Sequence, residues 1–274
     1  MKLAFSTLGC PKWNLDTIIA RATEYGFSGV DFRGCAGELD LWKLPEFSTD
    51  LDRTARRLRK AGLEVPCVSS SAMLLNADYM HKVRSAENLK QFVHISARLH
   101  SGIGSAMVRV FVGRVGDRSL KTALRETADA LKEAAIEAER SGVRLVLETH
   151  DDWMASKRLA ALLELAGQEN VGVCWDINHP YMFEGESPAK TWLNLGRWVE
   201  YVHVKDGRKT GDREMKPCLN GEGEVPLRDI IAVLRDGRYE GWFTYEWEKL
   251  WHPDIEEPEI AFPHYVQYMK SLAG

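Results

Sequence analysis

Along the chain, amphipathic stretches alternate with short apolar runs, and a glycine often stands at the junction. Gly26 comes shortly before the run VDF, Gly62 directly before LEVPCVS, and Gly142 directly before VRLVLE. A glycine just past the end of a helix adopts the left-handed conformation that lets the chain turn back. The amphipathic stretches carry apolar residues at the helical period, as at Leu227, Ile230, Ile231 and Leu234. The pattern predicts helices alternating with strands.

Eight apolar runs, rich in Val, Ile, Phe and Trp, are predicted to be strands. They lie near residues 2–8, 29–33, 64–70, 107–113, 143–149, 171–177, 200–205 and 242–247. Runs that are apolar almost throughout indicate parallel strands buried on both faces, and a helical stretch follows each one. Eight strand–helix units in 274 residues match the size of a (β/α)₈ barrel.

The predicted fold class is therefore α/β, a single (β/α)₈ TIM barrel domain over residues 1–274. No linker or low-complexity segment divides the chain. An open, doubly wound sheet is the competing architecture. Its dinucleotide-binding version is excluded, because no G-x-G-x-x-G sequence follows the first predicted strand.

Composition and charge narrow the class of protein further. With 45% hydrophobic and 28% charged residues, the chain has the composition of an ordinary folded protein. Its net charge of −4 argues against a nucleic-acid partner, which usually requires a basic surface. Five cysteines without a C-x-x-C pair indicate reduced thiols, and no 18 consecutive apolar residues occur. We expect a cytoplasmic protein without a membrane partner.

Four polar residues stand near the ends of four late predicted strands, and they are Glu148, Asp176, His203 and Glu246. The active site of a barrel of this kind lies at the C-terminal ends of its strands. Side chains alternate along a strand, so an inward Asp176 requires Cys174 to point inward and Trp175 to face the helices. For the same reason Trp242 is expected on the barrel floor below Glu246.

Three carboxylates at one barrel mouth would repel one another unless a cation neutralised them. The simplest solution is a divalent metal held by Glu148, Asp176, His203 and Glu246. Three hard oxygen ligands, one imidazole and no thiolate favour Mn²⁺, with Mg²⁺ or Co²⁺ as alternatives, over Zn²⁺. Glu248 shares the parity of Glu246 and is the alternative ligand if the strand register is shifted.

Several motifs resemble the xylose isomerase-like barrel superfamily, and within it the sugar phosphate isomerase/epimerase family. They are LETH from Leu147, CWDINH from Cys174, YVHVKD from Tyr201, GEGEVP from Gly221 and YEGWFTYEWE from Tyr239. The spacings of 28, 27 and 43 residues between successive ligands support the resemblance. It implies a metal bound by the same four residues, with Glu148 and Glu246 also acting as catalytic acid and base on a ketose. It also implies that His179 hydrogen-bonds a substrate oxygen.

Further substrate contacts are expected from Lys205, Arg208, Arg33 and His150. Lys205 faces the same way as His203, so it either steadies a substrate oxyanion or phosphate, or pairs with Asp176 or Asp206. Arg33 ends the second predicted strand, and His150 lies one step above Glu148. Trp13 and Trp153 either stack on a sugar ring or belong to the core.

The favoured function is a divalent-metal-dependent sugar isomerase or epimerase that removes a proton beside a carbonyl through a metal-stabilised enediolate. The alternative is a lyase or dehydratase acting on a ketosugar, ketoinositol or 3-keto-glycoside, because elimination shares that first step. An abasic-site endonuclease, also found in the superfamily, is remote because its additional histidine ligands are missing. The expected partner is a small sugar, and many relatives are homodimers or homotetramers.

Overall fold

The computed structural model describes residues 1–76, 78–102 and 104–273. Within these residues the strands are β1 Lys2–Ser6, β2 Gly29–Asp31, β3 Cys67–Met73, β4 Ala106–Phe111, β5 Val143–Glu148, β6 Val171–Asp176, β7 Val199–Val204, β8 Asp206–Gly211, β9 Glu214–Cys218 and β10 Trp242–Tyr245. The helices are α1 Leu15–Tyr25, α2 Leu51–Lys60, α3 Tyr79–Leu99, α4 Leu120–Glu139, α5 Ser156–Ala166, α6 His179–Glu184, α7 Pro188–Leu195, α8 Leu227–Asp236 and α9 Pro258–Ala273.

All strands except β8 and β9 form one parallel sheet that curves into a nearly closed barrel. The order around it is β2-β1-β10-β7-β6-β5-β4-β3. The two ends of this order meet through backbone bridges from Gly29 to Glu64 and from Phe32 to Val68. Each of the eight predicted runs coincides with a barrel strand. The (β/α)₈ prediction is confirmed, and the open-sheet alternative is wrong.

The barrel interior is layered as the alternation of side chains predicts. A small apolar cluster forms the floor, and its members are Ala4, Cys67, Met107, Val146, Cys174, Tyr201 and Trp242. Two positions further along their strands, the inward residues become polar, as at Glu148 and Asp176. Trp175, Val202 and Tyr245 belong instead to the larger core between barrel and helices. The strand ends therefore project a polar layer above an apolar floor.

An antiparallel hairpin of β8 and β9 follows β7, and the eight predicted strands do not include it. Most residues toward the tip of the hairpin are exposed, so the sequence lacks the alternation of apolar and polar residues that predicts a strand pair. The hairpin is anchored at its base by the buried carboxylate of Asp206. That carboxylate accepts hydrogen bonds from the backbone N–H groups of Gly207, Gly221, Gly223 and Val225, at 2.8–3.1 Å. The hairpin and the glycine-rich segment after it are thereby tied to one point beside the barrel mouth.

All five cysteines are free thiols, and four of them are buried. Two, Cys67 and Cys174, belong to the barrel floor, where they pack as small apolar groups. None of the helices in the described ranges is long and apolar enough to cross a membrane.

Replacing Gly113 by alanine is expected to cost about 2–5 kcal/mol of the free energy of unfolding. Gly113 follows β4 with φ +96°, and an added Cβ would overlap the carbonyl oxygen of Leu75. The matched control is Gly142→Ala, because Gly142 has φ +67° but open space around the added Cβ. The control should lose only about 1–2 kcal/mol, the cost of the backbone conformation alone. Urea denaturation of both variants measures the difference, and equal losses would contradict the close contact at Gly113.

Candidate metal centre and cleft

Four side chains converge at the C-terminal mouth of the barrel, and they are Glu148, Asp176, His203 and Glu246. Each offers one ligand atom, and these atoms all lie within 4.8 Å of one another. Parallel pairing sets Asp176 opposite His203, and Glu148 opposite Cys174, so adjacent strands present their polar residues at nearly the same height. All four are buried. The structure thus brings together the cluster predicted from the sequence.

The imidazole of His203 is oriented by carboxylates on both sides. Its Nδ1 lies 3.2 Å from Glu246 Oε1 and 3.6 Å from Glu148 Oε1. Its Nε2 lies 3.5 Å from Oδ2 of Asp31, a buried residue at the end of β2. The same Oδ2 accepts a hydrogen bond from the Ser69 hydroxyl at 2.8 Å, which holds Asp31 in place. An Nε2 proton directed at Asp31 leaves the Nδ1 lone pair for a metal, a common arrangement around metal-binding histidines.

Two buried cations compensate the glutamates. Arg109 Nε lies 3.0 Å from Glu148 Oε2. Lys205 Nζ lies 2.9 Å from Glu246 Oε2, 2.7 Å from Asp176 Oδ2 and 3.1 Å from Glu248 Oε1. Lys205 therefore makes the ion pair with Asp176 that the sequence left open, and it also reaches both glutamates that follow β10.

The pKa shifts in the cluster indicate which carboxylates are well compensated. Burial acts to raise the pKa of Glu148, but Arg109 and His203 together outweigh it and the pKa falls to about 2. Burial raises the pKa of Asp176 to about 6, although Lys205 opposes the change. Burial also acts to lower the pKa of Lys205, yet the surrounding carboxylates raise it well above its ordinary value. Asp176 is the carboxylate that gains most from an additional positive charge.

The donor atoms fit a divalent metal. Among the described residues, Glu148 Oε2, Asp176 Oδ2 and His203 Nδ1 are buried without a hydrogen bond of good geometry, although Arg109 and Lys205 lie within ion-pair distance of the two carboxylates. Buried polar atoms of folded proteins almost always have such a partner. Three carboxylates and one imidazole form the hard, oxygen-rich set that Mn²⁺, Mg²⁺ and similar ions prefer.

A cleft of about 860 Å³ adjoins the cluster. Its walls come from the segments after β4, β5, β6 and β10 and from the β8–β9 hairpin, and the lining residues include Arg114, His150, Asp151, Asp152, His179, Phe183, Arg213, Glu214, Glu248 and His252. Two of the predicted substrate residues, His150 and His179, line the cleft. A ligand in it would lie against Glu248, which contacts Lys205.

His179 and His150 form an edge-to-face pair on the cleft wall, with ring centroids 4.9 Å apart. His179 Nδ1 lies 2.9 Å from the carbonyl oxygen of Thr149, a geometry that directs an Nδ1 proton to that oxygen. Burial, with the charges of Lys205 and His150, lowers the pKa of His179 to about 3. His179 is therefore a neutral imidazole whose Nε2 remains a hydrogen-bond acceptor.

Arg33 and Arg208 are not among the residues that line this cleft. Arg33 is buried, and its Nη1 has no hydrogen-bond partner within the described part of the chain. Burial and the charge of Arg109 lower the pKa of Arg33 to about 10. Arg208 lies on the exposed hairpin, and its guanidinium donates to the carbonyl oxygen of Glu222. Of the predicted substrate contacts, the structure brings Lys205, His179 and His150 together, and it leaves Arg208 outside.

Both tryptophans considered for sugar stacking pack within the protein. Trp153 is fully buried, and its Nε1 donates to the carbonyl oxygen of Gly113 at 2.8 Å. Trp13 is half-buried and packs edge-on against Phe262, with ring centroids 5.6 Å apart. Trp153 therefore belongs to the core, as one of the two predictions had it, and it joins the segments that follow β4 and β5.

Arg109 and Asp31 are site residues for which the sequence analysis assigned no role. Arg109 is the only charged residue in β4, Ala106–Phe111, and it shares the inward parity of the floor residue Met107. A lone charge at an inward position of an apolar strand is the signal that identifies it. Asp31 is likewise the only charged residue in β2, Gly29–Asp31, but its contact with His203 joins residues far apart in the sequence and leaves no local pattern.

Residues 19–271 match the family described as "Xylose isomerase-like TIM barrel". Among curated proteins, the C-glycoside deglycosidase alpha subunit of Arthrobacter globiformis is 35% identical over 100 residues, which is 35% of this chain and 24% of that protein. The chain thus spans about a quarter of this relative's length. Inosose dehydratase 2 of Bacillus cereus is 22% identical over 232 residues, or 76% of this chain and 74% of that protein.

Solved structures share the fold over the whole chain. The IOLI protein, with a bound zinc atom, has a TM-score of 0.78 at 17% identity, covering 100% of this chain and 96% of that one. The 3-keto-D-glucoside 4-epimerase YcjR of E. coli has a TM-score of 0.76 at 15% identity, covering 100% and 99%. At these identities the likeness concerns the fold.

Replacing Asp176 by asparagine is expected to weaken Mn²⁺ binding more than about 100-fold, because it removes a charged oxygen ligand. Glu248→Gln is the matched control, since Glu248 contacts Lys205 but lies outside the cluster of four. Its Mn²⁺ affinity should stay within about threefold of the unsubstituted protein. Calorimetric titration with Mn²⁺ measures both. Equal losses would make Glu248 a ligand instead.

Replacing Arg109 by methionine is expected to lower the free energy of unfolding by about 3–5 kcal/mol, because it leaves the buried charge of Glu148 without its partner. The double variant Arg109→Met/Glu148→Gln removes that charge and should recover part of the loss. Urea denaturation of the metal-free protein provides the measurement. A double variant no more stable than the single one would show that the loss comes from packing.

Proposed function

The chain belongs to the xylose isomerase-like TIM barrel family, and on this premise we propose that it is a divalent-metal-dependent isomerase or epimerase of a ketose or ketose phosphate. The reaction begins with removal of a proton from the carbon beside the carbonyl. The observation that carries this proposal is the cluster of Glu148, Asp176, His203 and Glu246, buried beside a cleft large enough for a sugar. A purely structural barrel would gain no stability from burying three carboxylates at one point.

The four clustered residues are proposed to hold the metal. Their oxygen-rich set supports Mn²⁺, or else Mg²⁺ or Co²⁺, more than Zn²⁺. When bound, the cation would act as a Lewis acid toward the oxygens of the substrate carbonyl and its neighbouring hydroxyl. Asp31 keeps the His203 imidazole in the orientation that this requires.

The chain's own residues are proposed to bind the sugar and move its proton. Glu148 and Glu246 are the candidates for acid and base, because each has a second oxygen besides the one facing His203 Nδ1. His179 Nε2 accepts a hydrogen bond from a substrate hydroxyl, and His150 contacts the sugar from the same wall. Lys205 lies where it can steady negative charge that develops on a substrate oxygen. Arg33 would add a positive charge on the β2 side of the barrel.

A lyase acting on a ketosugar, ketoinositol or 3-keto-glycoside is the second candidate. Two features favour it: the curated relatives include a dehydratase and a deglycosidase, and the ammonium of Lys205 is a charged hydrogen-bond donor available to a departing oxygen. Proton removal beside the carbonyl is common to both reactions. They differ in whether the substrate then loses water or an aglycone.

The test is incubation of the Mn²⁺-loaded protein in D₂O with ketoses, ketose phosphates, ketoinositol and 3-keto-glycosides, followed by NMR and mass spectrometry. We expect deuterium at a carbon beside the carbonyl without loss of a fragment. Loss of water or an aglycone would establish the lyase instead. The control is the Asp176→Asn variant, which should give no exchange. Absence of exchange in the Mn²⁺-loaded protein with every substrate class would contradict both functions.

A further inference from the structure

The charged side chains on the wall of the cleft are unevenly divided between the two signs. Carboxylates outnumber guanidiniums two to one among the lining residues, with Asp151, Asp152, Glu214 and Glu248 against Arg114 and Arg213. The buried His179 adds no positive charge, because burial lowers its pKa to about 3. The Nδ1 of His150 lies 3.1 Å from Asp151 Oδ2, so any charge on this imidazole already faces a carboxylate. The wall is therefore negative.

Both arginines of the wall already have carboxylate partners. Arg213, in the turn of the β8–β9 hairpin, places Nη1 3.4 Å from Asp152 Oδ1 and Nη2 3.6 Å from Glu184 Oε1. Arg114 follows β4, and its Nε lies 3.7 Å from Asp151 Oδ1. An anion that entered the cleft would compete with these carboxylates for either guanidinium.

The ammonium below the cleft is committed as well. Lys205 Nζ lies 2.7–3.1 Å from carboxylate oxygens of Asp176, Glu246 and Glu248, and its side chain is only 2% exposed. The carboxylate of Glu214, by contrast, belongs to an exposed residue of the hairpin and adds negative charge at the entrance. A group that reaches the wall from solvent therefore meets carboxylates before it meets Lys205.

The hydrogen-bonding chemistry of the wall has the same preference. An ionised carboxylate only accepts hydrogen bonds, and so does the Nε2 of neutral His179, whose Nδ1 lies 2.9 Å from the Thr149 carbonyl oxygen. The hydroxyl groups of a sugar can donate to these acceptors. A phosphate ester brings about two negative charges and three further acceptor oxygens. The wall is thus complementary to hydroxyl groups and not to a phosphate.

We propose, resting on the function proposed above, that the substrate is an uncharged, polyhydroxylated sugar and that the negative wall of the cleft excludes its phosphate esters. Of the two substrate classes named above, the wall selects the ketose over the ketose phosphate. Glu214, together with the carboxylates that hold Arg213, determines this selection. Lys205 then meets an oxygen of the reacting end of the sugar and binds no phosphate.

The first test measures equilibrium affinity and not turnover. Ligand-observed NMR with the protein loaded with diamagnetic Mg²⁺ compares D-fructose, D-tagatose and D-xylulose, each with its ester phosphorylated on the terminal carbon. We expect the ester to bind at least about tenfold more weakly than the parent sugar in every pair that binds, because like charges meet in the cleft. A smaller difference, or tighter binding of the ester, would overturn this inference and leave the proposed function intact. If no member of any pair binds, the proposed action on ketoses is itself contradicted.

The second test removes negative charge from the wall. The double variant Glu184→Gln/Glu214→Gln deprives Arg213 of one charged partner and neutralises the exposed carboxylate of the hairpin. We expect it to strengthen binding of the phosphate ester at least about threefold, because repulsion falls and Arg213 becomes available. The affinity for the parent sugar should change less than about twofold, since the glutamine side-chain oxygen still accepts a hydrogen bond from a hydroxyl.

The matched control is Glu139→Gln/Glu240→Gln, which changes the net charge equally at the opposite end of the barrel. Glu139 ends α4, Glu240 precedes β10, and both are exposed. The control should leave both affinities within about twofold of the unsubstituted protein, because exposed charges beyond a Debye length are screened. Equal gains in the two double variants would show that the charge of the whole protein repels the ester. No gain in either would overturn the role of the wall.

Discussion

Charge compensation at the barrel mouth is the constraint on which the rest of the site depends. Barrel closure forces the ends of β5, β6 and β10 toward one point, and each delivers a carboxylate there. Burying three carboxylates together costs free energy, and the positive charges of Arg109 from β4 and of Lys205, which follows β7, offset part of that cost. Compensation is uneven, since Glu148 is strongly acidic while the pKa of Asp176 rises to about 6. A divalent cation at this point would supply the positive charge that Asp176 lacks.

The sequence alone predicts the barrel and the four clustered residues for one physical reason. Strands buried on both faces are apolar nearly throughout, so a polar residue near the end of such a run is conspicuous. Because side chains alternate along a strand with a period of two residues, each such polar residue predicts which of its neighbours point inward. Cys174 and Trp242 lie on the barrel floor as this alternation requires. Glu148, Asp176 and His203 could be placed on one mouth in this way without knowledge of any distance.

Other features depend on contacts between distant segments, which no local pattern records. The partner of Asp31 is His203, and the anchor of the segment Gly221–Val225 is Asp206. The β8–β9 hairpin has both faces largely polar, so it lacks the alternation that reveals a strand. The family resemblance predicts Arg208 near the substrate, but the pairing of the hairpin directs its guanidinium to the carbonyl oxygen of Glu222. In each case the side-chain partner or the strand pairing depends on a segment distant in the sequence, so the neighbouring residues do not predict it.

Because Asp206 anchors the base of the β8–β9 hairpin, the tip of the hairpin can vary in sequence while its base cannot. Four backbone N–H groups converge on this carboxylate, and backbone groups are present whatever side chains the segment carries. The tip, with Arg213 and Glu214 on the cleft wall, can therefore change in sequence or length while its base stays fixed three residues beyond His203. Such a construction lets natural selection alter which molecules fit the cleft while the buried cluster below it keeps its geometry.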